Sequence, residues 1–338
     1  MGELQSEIAN CARILVKDCG NVVAGETVVV VADKEQDPRL LEALSLATKN
    51  LGANPVTLQY EPSEEFPDPP KEIIEKLVDS DLILVCTTVP FNKEHLYAPH
   101  RKGARILGAI RVTLDSLLRI VPIDYEALLL QMKGVGESIE SSSIVRIEAP
   151  NGTDFRAKIA PWGMTYAASI VRDKSDWAHL PIGANGIGLV EGSAQGTFVA
   201  DGVIDFGRKK MNIGRISPPI TLVVRNGRIV ETLCSEKKQL DSVREWLYKD
   251  EGSSAVIEIG AGFNPRATFI GEPEGERFLG AVHIGTGDNH AFGGENSSKS
   301  HLDIIILNAT LYSDDQVLVS NGRIVDFLVK KSSNRHSS

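Results

Sequence analysis

Through its first 140 residues the chain switches repeatedly between two hydrophobic periods, and that alternation limits the folds open to it. Ile8, Ala12, Leu15 and Val16 recur at helical spacing, and the β-branched run TVVVVAD begins at Thr27. A helical pattern over 38–51, a short strand over 55–60, a helix over 70–78 and the apolar strand 81–86 follow. Strands that trade places with helices in this way predict an α/β domain built on an open, mostly parallel sheet with helices on both faces. The residues after the first strand, VVVVADKEQDPRL, carry neither GxGxxG nor GKS/T, which argues against a dinucleotide or triphosphate at that turn. Asp33 and Asp37 are read as caps of the following helix, and His95 and His100 in FNKEHLYAPHRKG as solvent-facing.

A helix-like segment over 122–136 and the polar run GESIESSS then give way to a different texture, so the boundary is placed near residue 141. Asn151-Gly152, Asp201-Gly202, Asn226-Gly227 and Asn321-Gly322 each sit between alternating apolar runs, the strongest short-range hairpin signal. With a single clear helix over 238–248, the second domain is expected to be mainly antiparallel β (α+β), a twisted sheet or partial barrel. The expected organisation is an α/β domain over 1–140, a β-rich metal-binding domain over 141–330 and a disordered tail over 331–338, whose His336 is given no chemical role. Two domains also suit a length of 338 residues.

The net charge of −9 argues against a nucleic-acid partner, which needs a basic surface. No apolar run reaches membrane-spanning length, and the N-terminus MGELQSEIANC lacks the profile of a signal peptide, so a cytoplasmic protein with no membrane partner is expected. Cys11, Cys19, Cys86 and Cys234 are too scattered for a zinc knuckle or a redox pair and are read as reduced thiols.

The chemistry is concentrated between Ala255 and Leu307. Three of the seven histidines, His283, His290 and His301, fall within nineteen residues, in a stretch that also holds Glu258, Asp288, Glu295 and Asp303. His301 and Asp303 open an apolar strand, and positions i and i+2 of a strand share a face, so imidazole and carboxylate project together. Such ligands fit zinc, manganese, cobalt or non-haem iron better than calcium or an iron–sulfur cluster. His283 stands where an apolar run ends in glycines, and Glu258 interrupts the apolar run SAVIEIGAG. A carboxylate in an apolar strand needs a partner; Arg266 is the simplest candidate, and a metal the more consequential one.

The segments IEIGAGFNPRA, GAVHIGTGDNHAFGG and HLD, after LPIGANGIGLVEGSAQGTFVADG, resemble the metallo-aminopeptidases of the aminopeptidase T and S family over roughly residues 180–325. That resemblance implies a cytoplasmic, homodimeric, two-domain exopeptidase acting on small peptides through a pair of divalent metals (zinc, cobalt or manganese). It also implies Glu258, His283, His301 and Asp303 as metal ligands. Two positions depart from the family pattern: Ala184 stands where relatives carry a glutamate ligand, and His290 where they carry a tyrosine. Glu191 or His290 is a possible substitute for the missing carboxylate.

The same superfamily holds non-haem iron dioxygenases that open dihydroxypyridine rings, and the chain is similar to them in GFNPRA and TGDN…GG…HLD. Those enzymes also lack the first glutamate, and their first iron ligand is a histidine where Glu258 stands. The leading expectation is a hydrolase in which metal-activated water attacks a peptide carbonyl, with Glu258 and His290 handling protons. The alternatives are a mononuclear Fe(II) ring-cleaving dioxygenase, or a relative that binds a small ligand or metal without turnover.

Overall fold

The computed structural model describes residues 2–62, 68–89, 91–206, 215–268 and 274–325. The tail over 331–338, with His336, lies outside the described residues. The chain divides into two compact units, one of Met1–Ile123 with Ala167–Ile182 and one of Asp124–Tyr166 with Gly183–Ser338. Where the sequence places one boundary near residue 141, the chain therefore passes three times from unit to unit.

The first unit is built on a five-stranded sheet, parallel throughout, in the order Asn54–Tyr60, Thr27–Asp33, Leu82–Thr87, Arg105–Ile110, Trp177–His179. Leu82–Thr87 is buried at every position and Thr27–Asp33 at all but its first. Strands with no polar face need cover on both sides. The helices Pro38–Asn50, Glu94–Arg101 and Leu114–Ile120 belong to this unit, as does Glu3–Arg13 with its continuation Ile14–Cys19. Asp37 caps its helix as expected, accepting a hydrogen bond from the Arg39 amide. Asp33 does not: its buried carboxylate accepts from the Thr88 amide and hydroxyl and the Glu35 amide, fastening the turn after the neighbouring strand. Nor do His95 and His100 simply face solvent, since His95 pairs with Asp68 at 3.2 Å and His100 Nε2 lies 2.6 Å from the Ser175 carbonyl oxygen. All four cysteines are free thiols.

The second unit is an antiparallel system of thirteen strands. One long strand, Thr153–Tyr166, organises it: its first half pairs with Ile144–Ala149 and Gln195–Ala200, and its second with Ala184–Leu189. From Ala184–Leu189 the sheet continues through Val256–Gly262, Val282–Gly287 and His301–Ile306 to Ile204–Phe206. The α/β unit with its parallel sheet and the mainly antiparallel second unit match the expected fold class. Asn185, on the strand Ala184–Leu189, donates from Nδ2 to the Met132 carbonyl on the helix Tyr125–Glu140 and accepts from the Ala261 amide. That links the helix to the middle of the sheet.

The Asn-Gly signals perform unequally. At 226–227 and 321–322 both residues have positive φ (49° and 74°; 48° and 74°), the requirement of the tight turn that matches strand twist. At Asp201-Gly202 no hairpin forms, because the chain leaves one strand pair for another. The Gly202 amide bonds the Ile305 carbonyl, and a Cβ on Gly202 would stand 2.9 Å from that oxygen, so the glycine serves a close backbone approach.

Gly227 combines a φ of 74° with a backbone contact, since an added Cβ would lie 2.6 Å from the Gly192 Cα. Gly227→Ala is expected to cost about 1–3 kcal/mol of stability, measured by urea denaturation; a variant as stable as the parent would show that the turn relaxes freely.

Candidate metal centre

The site is built on one face of the four strands Ala184–Leu189, Val256–Gly262, Val282–Gly287 and His301–Ile306. Residues directly paired across antiparallel strands project to the same face. The pairing Gly188–Glu258–Gly285–Asp303 forms one row across the sheet, and Gly186–Gly260–His283–Ile305 the next. His301 is paired with Gly287. Glu258, His283, His301 and Asp303 therefore share a face, and glycines hold the positions between them.

Those glycines make the convergence possible. A Cβ on Gly186 would lie 2.0 Å from Glu258 Oε1, on Gly285 2.7 Å from Glu258 Oε2, and on Gly260 2.4 Å from His283 Cε1. With hydrogen in place of a side chain, the carboxylate and imidazole lie flat against the sheet, and none of the three glycines needs a left-handed backbone. Close approach, not φ, is what demands them.

The polar atoms face one another at separations too wide for good hydrogen bonds. His301 Nε2 lies 3.6 Å from Glu258 Oε2 and 3.5 Å from Asp303 Oδ1, and His283 Nε2 lies 3.7 Å from Glu258 Oε1. Ligands held at about 2.1 Å from one ion and about 90° apart would stand about 3 Å from each other, close to these spacings. Two three-residue groups have ligand atoms all within 4.8 Å: Glu258, His301 and Asp303, and Glu276, His283 and Asp303. Among the described residues, neither ring nitrogen of buried His283 nor Asp303 Oδ1 has a hydrogen-bond partner. Buried polar atoms are rarely left so, and a divalent ion beside them would satisfy Asp303 Oδ1. The donor set fits a first-row divalent metal.

Electrostatics couple the pair at the strand's start. Burial opposes the charged imidazole of His301, but the Asp303 carboxylate, and behind it Glu258 and the Asp288 carbonyl, outweigh it and push the ring up to about 9. Burial would raise Asp303, yet His301, His283 and Arg277 hold it down to about 2. The two residues thus sit as an imidazolium and a carboxylate when no metal is bound.

The loop leading into His301 is fastened by side chains. Glu191 Oε1 accepts from Asn289 Nδ2 and from the Glu295 and Asn296 amides, while Asn296 Nδ2 donates to the Gly252 and Gly287 carbonyls. Asp250 accepts from the Lys299 amide and the Ser253 and Ser298 hydroxyls, which hold its carboxyl down to about 2. Glu191 is therefore committed to the loop and does not replace the carboxylate missing at Ala184. His290, its Nδ1 2.7 Å from Asp288 Oδ2 and its side chain 55% exposed, joins neither ligand group. Glu258 faces His283 and His301, and no ion pair ties it to Arg266 among the described residues. Glu276, unnoticed in the sequence, enters from the turn Gly275–Arg277, where it also pairs with Arg277. Nothing local marks it: GEPEGERF reads as a solvated acidic turn. The Gly186, Gly260 and Gly285 spacing was the sequence signal available for the rest of the site.

The two-unit fold that carries this site is found in solved structures. The structure of 2,5-dihydroxypyridine dioxygenase from Pseudomonas putida is similar with a TM-score of 0.78 at 20% identity, covering 95% of this chain and 97% of that one. AmpT from Thermus thermophilus is similar with a TM-score of 0.71 at 17% identity, covering 95% and 99%. At those identities the likeness is one of fold.

The chain belongs to the NicX family, described as 2,5-dihydroxypyridine 5,6-dioxygenase, whose model matches residues 8–326. A 2,5-dihydroxypyridine 5,6-dioxygenase of Pseudomonas putida is 25% identical over 237 residues, 67% of this chain; the match spans 65% of that relative's length. This membership overturns the aminopeptidase expectation. The terms hydrolase, metalloprotease and zinc give way to an oxidoreductase family. Among the described residues, no helix is long and apolar enough to cross a membrane.

Gly186→Ala is expected to displace the flexible end of Glu258 rather than the sheet. Metal affinity should fall about tenfold or more while circular dichroism stays unchanged, checked by titrating Mn(II) into chelator-treated protein. Unchanged affinity would mean that Glu258 does not contribute to the centre.

Proposed function

We propose that this chain is a metal-dependent dioxygenase that opens the ring of a dihydroxypyridine or a close heteroaromatic diol. The observation that carries it is the convergence of Glu258, His301 and Asp303 on one glycine-cleared sheet face, in a member of a dihydroxypyridine dioxygenase family. Glu258 Oε2, His301 Nε2 and Asp303 Oδ1 would hold the metal; dioxygenase chemistry favours ferrous iron, here with one imidazole and two carboxylates where the common facial triad has two imidazoles and one carboxylate. A bound ferrous ion supplies the one-electron chemistry that lets dioxygen react with a closed-shell ring.

The protein's own residues do the rest. Binding the ion requires His301 to give up the proton that Asp303 and Glu258 otherwise stabilise, so loading becomes easier as pH rises. His283, 1% exposed and with both ring nitrogens unpartnered, is placed to accept a hydroxyl proton from the ring at Nε2. Glu258 Oε1, 3.7 Å away, stabilises the imidazolium so formed. Ile305, paired with His283 on the same face and fully buried, keeps water from that side and raises the worth of these interactions. The name 5,6-dioxygenase specifies cleavage between ring carbons 5 and 6, and that bond is the one expected to break here.

Oligomeric state enters as part of this reading: a homodimer with a small-molecule substrate, no nucleic acid and no membrane. An intracellular site of action suits an oxygen-labile ferrous centre and four free thiols.

The test is oxygen uptake by anaerobically prepared, Fe(II)-reconstituted protein on adding 2,5-dihydroxypyridine, with loss of the ring's ultraviolet absorption. Uptake stoichiometric with ring loss is expected, and His301→Ala should lower both metal content and rate about 100-fold or more. No uptake by fully iron-loaded parent protein, with that substrate or with related heteroaromatic diols, would overturn the reading.

A further inference from the structure

Next to Glu258 stands an aromatic side chain that the metal chemistry does not use. In the strand Thr153–Tyr166, Ile159 pairs with Leu189 and Met164 with Ile187, so the four residues Ala160–Gly163 face Gly188 alone. This is a wide bulge, a device that re-aims a side chain and recurs beside active sites. Pro161, with no amide hydrogen, is at ease in the unpaired stretch, and Gly163 takes a φ of 87° to return the strand to register.

The bulge lays the indole of Trp162 over Gly188. A Cβ on Gly188 would stand 2.5 Å from Trp162 Cε3 and 3.2 Å from Phe292 Cβ, and one on Gly293 3.3 Å from Trp162 Cγ. Gly188 is the direct cross-strand partner of Glu258, and such partners lie about 5 Å apart with side chains on one face. The indole and the Glu258 carboxylate are therefore adjacent on the same glycine-cleared surface. Trp162 remains 36% exposed, and among the described residues its ring stacks on no other ring. An indole packed only to fill a core would be covered; this one is gripped at its Gly188 edge and left open beside the ligands.

We propose that Trp162 is the ring-binding wall of the site: its open face stacks against the planar heteroaromatic substrate and sets its plane beside the metal. The proposal rests on the ring-cleaving reading and deepens it by naming the residue that selects a flat aromatic substrate over a non-aromatic chelator. Three observations converge on it: the bulge, the glycine beneath the indole, and the pairing of that glycine with Glu258. Stacking of a heteroaromatic ring on an aromatic side chain is worth a factor of about ten or more in affinity.

The experiment is anaerobic calorimetric titration of Mn(II)-loaded protein, which binds without oxidising, with 2,5-dihydroxypyridine and separately with acetohydroxamate, a non-aromatic chelator. Trp162→Ala should weaken binding of the pyridine about tenfold or more and leave acetohydroxamate binding and metal content as in the parent. Trp162→Phe, which keeps a ring over Gly188, should recover most of the affinity and guards against a misfolded alanine variant. Equal pyridine affinity in parent and Trp162→Ala, or equal weakening for both ligands, would overturn the proposal. A parent that binds acetohydroxamate but no dihydroxypyridine would instead overturn the ring-cleaving reading beneath it.

Discussion

Two carboxylates and two imidazoles share one largely buried sheet face, and the surrounding structure is arranged to tolerate them. Glu258 and Asp303 lie in a single row, separated by Gly285, in strands that are otherwise mostly apolar. Two like charges in such a place repel, and each loses hydration worth several kcal/mol. His301, protonated up to about 9, provides one internal counter-charge. A single imidazolium does not satisfy everything present, since His283 keeps two unpartnered nitrogens and Asp303 one unpartnered oxygen. The site is thus a set of donors of the kind that suits a divalent cation, held apart at 3.5–3.7 Å by paired strands.

Rigid placement comes from layers beneath that face. Asn185 ties the strand Ala184–Leu189 to the helix Tyr125–Glu140 and to the neighbouring strand at Ala261. Glu191, Asn289 and Asn296 fasten the loop before His301, and Asp250 fastens its last turn. These hydrogen bonds tie the polar run GENSSKS to the strands and turns around it. The glycines act in the opposite sense, removing side chains so that functional ones can lie where a Cβ would have been. Order in the loop and absence in the floor are both needed before four donors can point at one place.

The difference between the two expected chemistries shows how far motifs reach. HLD and GTGDN are architecture: in this fold they form a strand start and part of a glycine-cleared floor that leads into a fastened loop. A ligand set read from such motifs brings the donors together but leaves the reaction class open, because reaction class depends on what else lines the site. Ala184, where the aminopeptidase pattern requires a carboxylate, was the residue in the sequence that spoke against hydrolysis. Its strand position, paired with Gly262 at the edge of the cluster, supplies no ligand.

What the sequence determined by itself was local in nature. The apolar runs at 28–32 and 82–86 required a sheet covered on both faces, the Asn-Gly pairs at 226 and 321 fixed two turns, and His301-x-Asp303 fixed two donors on one face. Each follows from periodicity or from backbone freedom within a few residues. Tertiary structure decided everything that depends on register between distant strands. It brought Glu258 into one row with Asp303 across Gly285, drew Glu276 from an acidic turn to His283, sent His290 out to Asp288, and left Asp201-Gly202 without a hairpin. It also folded Trp162 over Gly188. Register is set by the summed burial of whole strands, so a shift of one residue would turn every one of these side chains to the other face, and no local pattern encodes that sum.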